Sequence, residues 1–360
     1  MVVTLGKFSS LILYLTVYTL SALFLYIASC SSRKKNKFII GAIAILLPCI
    51  LAGFRYGVGV DFLNYKHLYE TYSGMTFAEY LNYEHITEIS AYFFSKIAAL
   101  FNFPQLFFIL YAFFIYAPVA KIIMEREGKG ETFFLALFFL LGSFSTGLNI
   151  MRQVAAASIL LYSLKYITDR NLKKFVFAVV IAAVFHVSAI IILPLYFIWN
   201  KRDKFSIFQF KSWLIIAAYF VFALNLPLLL RLLGDRFDGY GTIQTQGRNL
   251  SILLNCIWMV IFLLFNKRIT KHRAHDGLYV FMIIIGTILS FTGMFNVYLK
   301  RTAIYFNYPD FILLTQLKYV FDLKSRGAFY VLATVYSLFM FILTYYILGQ
   351  TGIFPYQYLS

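Results

Sequence analysis

The sequence predicts an all-α, polytopic integral membrane protein with roughly 11–12 membrane segments. Hydrophobic residues make up 61% of its 360 residues, charged residues make up 13%, and the mean hydropathy is +0.77. This composition excludes an ordinary water-soluble domain, which needs a larger polar surface. The apolar runs are continuous over the length of a spanning helix and lack the alternation that is typical of membrane-barrel strands.

The predicted segments follow one another without an internal repeat, so we expect a single transmembrane domain covering residues 1–360. The first segment is too long for the core of a signal peptide and is preceded by only one basic residue, Lys7, so we expect it to be retained. The single spans are predicted near 10–29, 38–54, 104–123, 131–148, 152–168, 212–233, 250–265, 277–295, 303–317 and 328–348.

The net charge of +17 is concentrated in short loops between the predicted segments. In a soluble protein this charge would indicate nucleic acid, but here no nucleic-acid partner is expected because 22 of the 32 Lys and Arg residues lie in six loops. The positive-inside rule makes these loops cytoplasmic and the N-terminus external. The six loops are 33–37, 121–129, 165–174, 201–211, 267–273 and 318–326.

A compound apolar segment at 175–199 carries the cytoplasmic charge signal at both of its ends. It is therefore predicted to fold back as a re-entrant or half-helix hairpin, with the turn at 186–188. Each arm has about 12 residues, or roughly 18 Å of helix, which is too short for a full span. The alternative is one ordinary span that violates the charge rule.

Two external loops are predicted, at about 55–103 and 234–249. The first contains an apolar helix at 86–101, which we place at the membrane interface because a full span there would move the later basic loops outside. The second loop combines glycines and tyrosines with Arg236 and Arg248, which suits either a mobile lid over sugars or anions or a plain solvated loop.

The segment from Gly53 to Tyr65 brings polar residues to the point where the second apolar run stops. Gly57 and Gly59 allow a tight turn and a close approach of the backbone to a ligand. Arg55 and Asp61 add opposite charges on either side of the glycines. The segment is therefore either one wall of a polar site at the membrane surface or a helix end with one ion pair.

Six short motifs follow one another along the chain. They are the Arg-Tyr-x-x-Gly-x-Asp-x-x-x-Tyr pattern within 53–65, Glu88 before an apolar helix, the Arg-Gln-x-x-Ala element at Arg152, the Phe-His-x-Ser-Ala element at His186, Arg301 to Phe306, and Pro355-Tyr356. In kind and in order they resemble the motifs of the EpsG family of Wzy-like polysaccharide polymerases, whose signature matches the pattern in 53–65. Either Glu84 or Glu88 matches the family's acidic residue, and the helix that follows favours Glu88.

The resemblance implies a glycosyltransferase that polymerises an exported glycan at the external face of a bacterial inner membrane, with a GT-C-like architecture. A polysaccharide chain on undecaprenyl pyrophosphate is transferred to the non-reducing end of a lipid-linked repeat unit. The implied partners are the undecaprenyl-pyrophosphate-linked oligosaccharide and polysaccharide, the lipid bilayer and a chain-length regulator. A lipid-linked oligosaccharide flippase and a membrane O-acyltransferase centred on His186 are the alternatives.

The residue types also fit this chemistry, because a leaving diphosphate needs positive charge and an acceptor hydroxyl needs a base. Arg55, Arg152 and Arg301 are candidates for the first role. Asp61, Glu88 and His186 are all open candidates for the second. No cofactor is expected, and no metal site is predicted because no Asp-x-Asp or His/carboxylate cluster has suitable spacing. The full prediction comprises the catalytic candidates Arg55, Asp61, Glu88, Arg152, His186 and Arg301, and the substrate-binding candidates Tyr56, Gly57, Gly59, Tyr65, Asn149, Gln153, Arg236, Arg248 and Tyr305.

Overall fold

A computed structural model of the chain is dominated by helices, which confirms the predicted all-α class. It describes residues 1–83, 87–126, 128, 130–199, 214, 217–218, 221, 225, 250–272, 276–292 and 297–359. Glu84, Arg236 and Arg248 lie outside the described residues, as do the predicted loop 234–249 and most of the predicted span 212–233.

Seventeen α-helices are described, joined by short 3₁₀ and π-helical turns, and one two-stranded sheet pairs the two ends of the chain. The strands are β1 (Val2–Thr4) and β2 (Gln357–Leu359). The helices are α1 (Lys7–Cys30), α2 (Lys34–Phe54), α3 (Phe62–Gly74), α4 (Phe77–Leu81), α5 (Ile89–Leu100), α6 (Gln105–Glu125), α7 (Glu131–Phe139), α8 (Ser145–Gly147), α9 (Met151–Thr168), α10 (Leu172–Phe185), α11 (Pro194–Ile198), α12 (Leu250–Leu264), α13 (Asn266–His272), α14 (Asp276–Thr292), α15 (Val297–Asn307), α16 (Asp310–Gln316) and α17 (Arg326–Phe341).

Within the described residues, 4 helical segments are long and apolar enough to cross a membrane: α1, α2, α6 and Leu323–Ile347. Shorter apolar helices accompany them, so the chain is a multi-pass membrane protein. The predicted span 303–317 is wrong as a single helix, because α15 ends at Asn307 and α16 begins at Asp310. Pro309 explains this break, since a proline disfavours helical backbone in the residue before it.

Residues 1–162, 184–186 and 325–360 form one compact unit, here called unit 1. Helices α1 and α2 are joined by residues 31–33 and pack against each other, and α2 also packs on α6. The predicted basic loop 33–37 is Arg33 followed by the first turn of α2. One end of this bundle, here called the site end, holds residues 1–6, 54–62, 147–152 and 349–359. It is defined by the pairing of β1 with β2, by a bridge between Arg55 and Tyr358, and by a hydrogen bond from Asp61 to Asn149. The basic loop 33–37 therefore lies at the opposite end of α1 and α2 from Arg55.

Helices α3, α4 and α5, which follow α2 and precede α6 in the chain, form a small packed group in unit 1. Tyr72, Tyr80, Ala91 and Tyr92 pack together as its buried core. The helix predicted at 86–101 is present as α5, whose 12 residues correspond to roughly 18 Å and do not span a bilayer core. Its position at the membrane interface stays a prediction.

Residues 163–183 and 187–324 form a second compact unit, here called unit 2. Arg170 Nη1 donates to the carbonyl oxygens of Tyr196 and Trp199, both at 2.9 Å, and the Phe175 ring stacks on Tyr196 with centroids 5.6 Å apart. The two ends of segment 172–199 therefore lie side by side. The chain therefore folds back within this segment, as the predicted hairpin requires, and the helical path breaks at His186. The re-entrant placement of the hairpin in the membrane stays a prediction.

Candidate functional site

Glu88 lies at the centre of a cluster of charged side chains in unit 1. Its Oε1 atom is 2.5 Å from Nδ1 of His186, and its Oε2 atom accepts a hydrogen bond from Nη1 of Arg152. Glu88 is the N-cap residue of α5, Arg152 lies in the first turn of α9, and His186 follows the last residue of α10. Three helix ends therefore converge, and each contributes one side chain that the sequence predicted as functional.

The cluster is partly shielded from solvent. The side chains of Glu88, His186 and Arg152 are 12%, 13% and 26% exposed. Burial by itself raises the pKa of the Glu88 carboxyl, but the charge of Arg152 and the hydrogen bond with His186 outweigh burial and hold that pKa well below its usual range. Glu88 is consequently an ionised carboxylate with both oxygen atoms engaged, which makes it a poor proton acceptor.

Tyrosines hold the backbone that carries Glu88. The Thr87 amide donates to the Tyr72 hydroxyl at 3.0 Å, and the Tyr80 hydroxyl donates to the Thr87 carbonyl at 2.6 Å. On the other side of Glu88, the hydroxyls of Ser90 and Tyr111 are hydrogen-bonded at 2.9 Å. Sequence reasoning missed these supporting roles, and nothing in the local pattern distinguishes these tyrosines from the many other aromatic residues of the chain.

Tyr65 and Arg152 are also neighbours. The Arg152 guanidinium carbon lies 5.7 Å from the centroid of the Tyr65 ring, within the range of a cation–π interaction. Tyr65 is itself 5% exposed. The tyrosine that ends the sequence signature thus contacts the ion pair directly, and its buried ring is part of the packing around Arg152.

The glycines of the signature allow it to pass close to the segment that precedes α9. Gly59 has a φ of +97°, and a Cβ atom there would lie 2.9 Å from the Leu148 carbonyl oxygen. Next to it, the Asp61 amide donates to Oδ1 of Asn149 at 2.9 Å. Only glycine has the conformational freedom and the small size that this position needs. The close approach brings the signature beside the motif that contains Arg152.

Arg55 occupies a different environment at the same site end. Its side chain is 3% exposed and lies over the rings of Phe62 and Phe108, at 5.9 and 5.5 Å from their centroids. Nη2 contacts the Met151 sulfur at 3.1 Å, whereas Nε and Nη1 are buried without a hydrogen-bond partner. Burial lowers the pKa of the Arg55 guanidinium to about 10. The group therefore stays charged at neutral pH without a counter-ion among the described residues.

The ion pair between Arg55 and Asp61 that the sequence left open is absent from the part of the chain that the structure describes. Asp61 is instead the N-cap residue of α3, and its side chain makes no capping hydrogen bond. Signature residue Tyr56 accepts a hydrogen bond from Lys66 Nζ at 3.4 Å, and Gly57 has a φ of +65°. These observations describe the local structure at Tyr56 and Gly57, and the substrate-binding roles of both residues stay predictions.

The remaining candidates divide between the two units. Gln153 is buried in unit 1 beside Arg152 along the chain. Arg301 is exposed and belongs to unit 2, as does Tyr305, whose hydroxyl is 2.9 Å from the hydroxyl of Ser188. Among the residues that the structure covers, no group of three or more His, Cys, Asp or Glu side chains is placed to hold a metal ion.

Comparison with known proteins identifies one family. The model described as the EpsG family matches residues 38–358, a range that contains Arg55, Glu88, Arg152 and His186. This match confirms the resemblance that the short motifs indicated. No curated protein and no solved structure matches the chain.

Proposed function

The chain belongs to the EpsG family of polysaccharide polymerase-like membrane proteins, and on this premise we propose that it lengthens a glycan carried on undecaprenyl pyrophosphate. The growing chain is transferred from its lipid diphosphate to the non-reducing end of a lipid-linked repeat unit. The observation that carries the proposal is the contact of Glu88 with His186, which lies at the same end of unit 1 as Arg55, a buried cation without a counter-ion among the described residues.

His186 is the base in this proposal. Glu88 Oε1 accepts the Nδ1–H of His186, so the lone pair of the ring lies on Nε2. This nitrogen takes the proton of the acceptor sugar hydroxyl while the hydroxyl oxygen attacks the anomeric carbon of the donor. Glu88 cannot serve as the base itself, because its pKa is lowered and both of its oxygen atoms are occupied.

Arg55 supplies charge for the leaving group. When the bond between the anomeric carbon and the phosphate oxygen breaks, its electron pair stays on undecaprenyl pyrophosphate, and a nearby cation stabilises that negative charge. Arg55 suits this role because it has two unpartnered guanidinium nitrogens, and the thioether of Met151 is a weak, neutral acceptor that an oxyanion readily replaces.

Arg152 has a supporting role in the same scheme. Its guanidinium is already paired with Glu88, so its charge is largely compensated before a substrate binds. We assign to it the task of keeping Glu88 ionised and directed at His186. Arginines supply the positive charge in this scheme, which makes transfer without a divalent metal part of the proposal.

We place the chain in the bacterial inner membrane with the site end external. The separation of the basic loop 33–37 from Arg55 along α1 and α2 supports this orientation, because basic loops stay cytoplasmic. A chain-length regulator remains a proposed partner.

The test is a reaction with purified protein in detergent. A synthetic undecaprenyl-pyrophosphate repeat unit, supplied alone with a chelator, is expected to give a ladder of longer glycans and free lipid pyrophosphate. Translocation of the same lipid in vesicles, without any ladder in detergent or vesicles, would replace the polymerase with a flippase. A ladder that forms only after a divalent metal is added would remove the metal-independent part of the proposal.

A further inference from the structure

The last eleven described residues, 349–359, form a strap across the site end of unit 1. The strap begins after the helical segment that ends at Ile347 and finishes in β2, which pairs antiparallel with β1. It contains the Pro355-Tyr356 pair for which the proposed reaction has no role. The strap therefore holds the two ends of the chain together beside the signature.

Strap carbonyls accept the backbone hydrogen bonds of the signature. The amide of Tyr56 donates to Gln357 at 2.8 Å, that of Gly59 to Gly352 at 2.9 Å, and that of Val60 to Thr351 at 3.0 Å. Arg55 itself forms a bridge with Tyr358. The path of the signature on both sides of its glycines is thus fixed by a segment about 300 residues later in the chain.

Tyr356 anchors the strap to the helix that leads into Arg55. Its hydroxyl donates to the carbonyl of Leu51 at 2.8 Å, and its amide donates to Oγ of Ser10 at 2.9 Å. The Leu51 carbonyl belongs to the last turn of α2, which ends at Phe54, and Arg55 follows with extended backbone at φ −64° and ψ 146°. The Tyr356 hydroxyl therefore docks the strap on the turn of α2 that leads into Arg55.

We propose that Tyr356 is a positioning residue, which docks the strap on the last turn of α2 through the Leu51 carbonyl and thereby holds the extended backbone that carries the Arg55 guanidinium into its site. Without the hydroxyl, the strap loses this hydrogen bond to α2, and the signature amides that donate to strap carbonyls are held less firmly. The Arg55 guanidinium is then less well fixed against Phe62 and Phe108. The inference rests on the proposed function, in which Arg55 binds the diphosphate.

The test compares two tyrosine-to-phenylalanine variants of the full-length protein. Tyr356→Phe removes the hydroxyl that donates to the Leu51 carbonyl. Tyr358→Phe is the matched control, because it removes a hydroxyl two residues later in the strap, while the bridge of Tyr358 to Arg55 is made by the backbone. Both variants are assayed for kcat and KM with the synthetic lipid-linked repeat unit, and for hydrogen exchange at the amides of Tyr56, Gly59 and Val60.

We expect KM to rise about tenfold in Tyr356→Phe, the size that corresponds to one lost hydrogen bond, with KM unchanged in Tyr358→Phe. The pH profile of kcat is expected to stay the same in both variants. Exchange at the three signature amides is expected to be faster in Tyr356→Phe alone.

A fall in kcat with unchanged KM in Tyr356→Phe would indicate only a smaller folded fraction and would overturn the positioning role. Unchanged exchange at the signature amides, or an equal rise of KM in the control, would also overturn it. If the wild-type protein gives no glycan product while exchange still responds to Tyr356→Phe, the proposed reaction fails and the docking of the strap by Tyr356 is retained.

Discussion

The surroundings of Arg152 and Arg55 differ although both arginines lie at the site end of unit 1. Arg152 forms an ion pair with Glu88 and contacts Tyr65, whereas Arg55 is more deeply buried and contacts Phe62, Phe108 and Met151. A paired arginine fixes its partner and adds little net charge to the site. An unpaired buried arginine costs folding free energy and stays available to an anion. In the proposed reaction, this difference fits Arg152 as the residue that supports the base and Arg55 as the cation for the leaving group.

The largest effect is expected at His186. If the surroundings of Arg55 were sufficient for catalysis, the contrast drawn between the two arginines would have no functional meaning. His186→Ala should lower kcat by about 10²- to 10⁴-fold, the usual contribution of a positioned general base. Initial rates of glycan elongation measure it, and exposed His67 provides the control variant His67→Ala, which should keep the wild-type rate. Equal rates in His186→Ala and wild type would remove the base from the proposal.

The second prediction uses the two arginines directly. Arg152→Met leaves Glu88 without its cationic partner and should destabilise the protein by about 1–3 kcal/mol, less than for a fully buried pair because solvent reaches the side chains. Arg55→Met removes an unpaired buried charge and should leave stability unchanged or raise it by about 1 kcal/mol. Both variants should elongate poorly.

Thermal unfolding of the two arginine variants in the same detergent measures the stability difference, and elongation assays at a temperature where both are folded measure the activity. We expect Arg152→Met to lower the unfolding temperature and Arg55→Met to leave it unchanged or raise it, and this difference distinguishes the two arginines. A strong destabilisation by Arg55→Met would mean that its guanidinium is a structural group, and the leaving-group assignment would fall.

The smallest effect is the pH dependence of stability that comes from Glu88. Because the folded-state pKa of Glu88 is lowered, its contribution is complete above the ordinary carboxyl pKa of about 4.3 and is lost as pH falls through the lower folded-state value. The unfolding temperature of the wild-type protein should therefore decrease as the pH is lowered below about 4.3. The unfolding temperature of Glu88→Gln should decrease less over the same acidic range. Parallel curves for the two proteins would show that Glu88 is not held ionised by its neighbours.

Much of the candidate site could be predicted from the sequence, because several of its residues are marked by patterns that extend over only a few neighbouring positions. The end of the second apolar run located Arg55, and the charge pattern at both ends of 175–199 located the turn at His186. The break at Pro309 could also have been found from sequence, because a proline inside an apolar run interrupts helical hydrogen bonding. The sequence further indicated that Glu88 precedes a helix, but it left the base undecided among Asp61, Glu88 and His186.

The amino-acid sequence by itself determined the membrane class, the main helices and the identity of the polar residues at their ends, because hydropathy and capping act over a few residues. Only the tertiary structure decided which charges are paired. Glu88 meets Arg152 across 64 positions and His186 across 98, and the Tyr356 hydroxyl reaches the Leu51 carbonyl across 305. Such contacts depend on how the helices pack, and no local pattern carries that information. The contrast between Arg152, which is paired, and Arg55, which has no counter-ion in the part of the chain that the structure describes, is therefore a property of the fold.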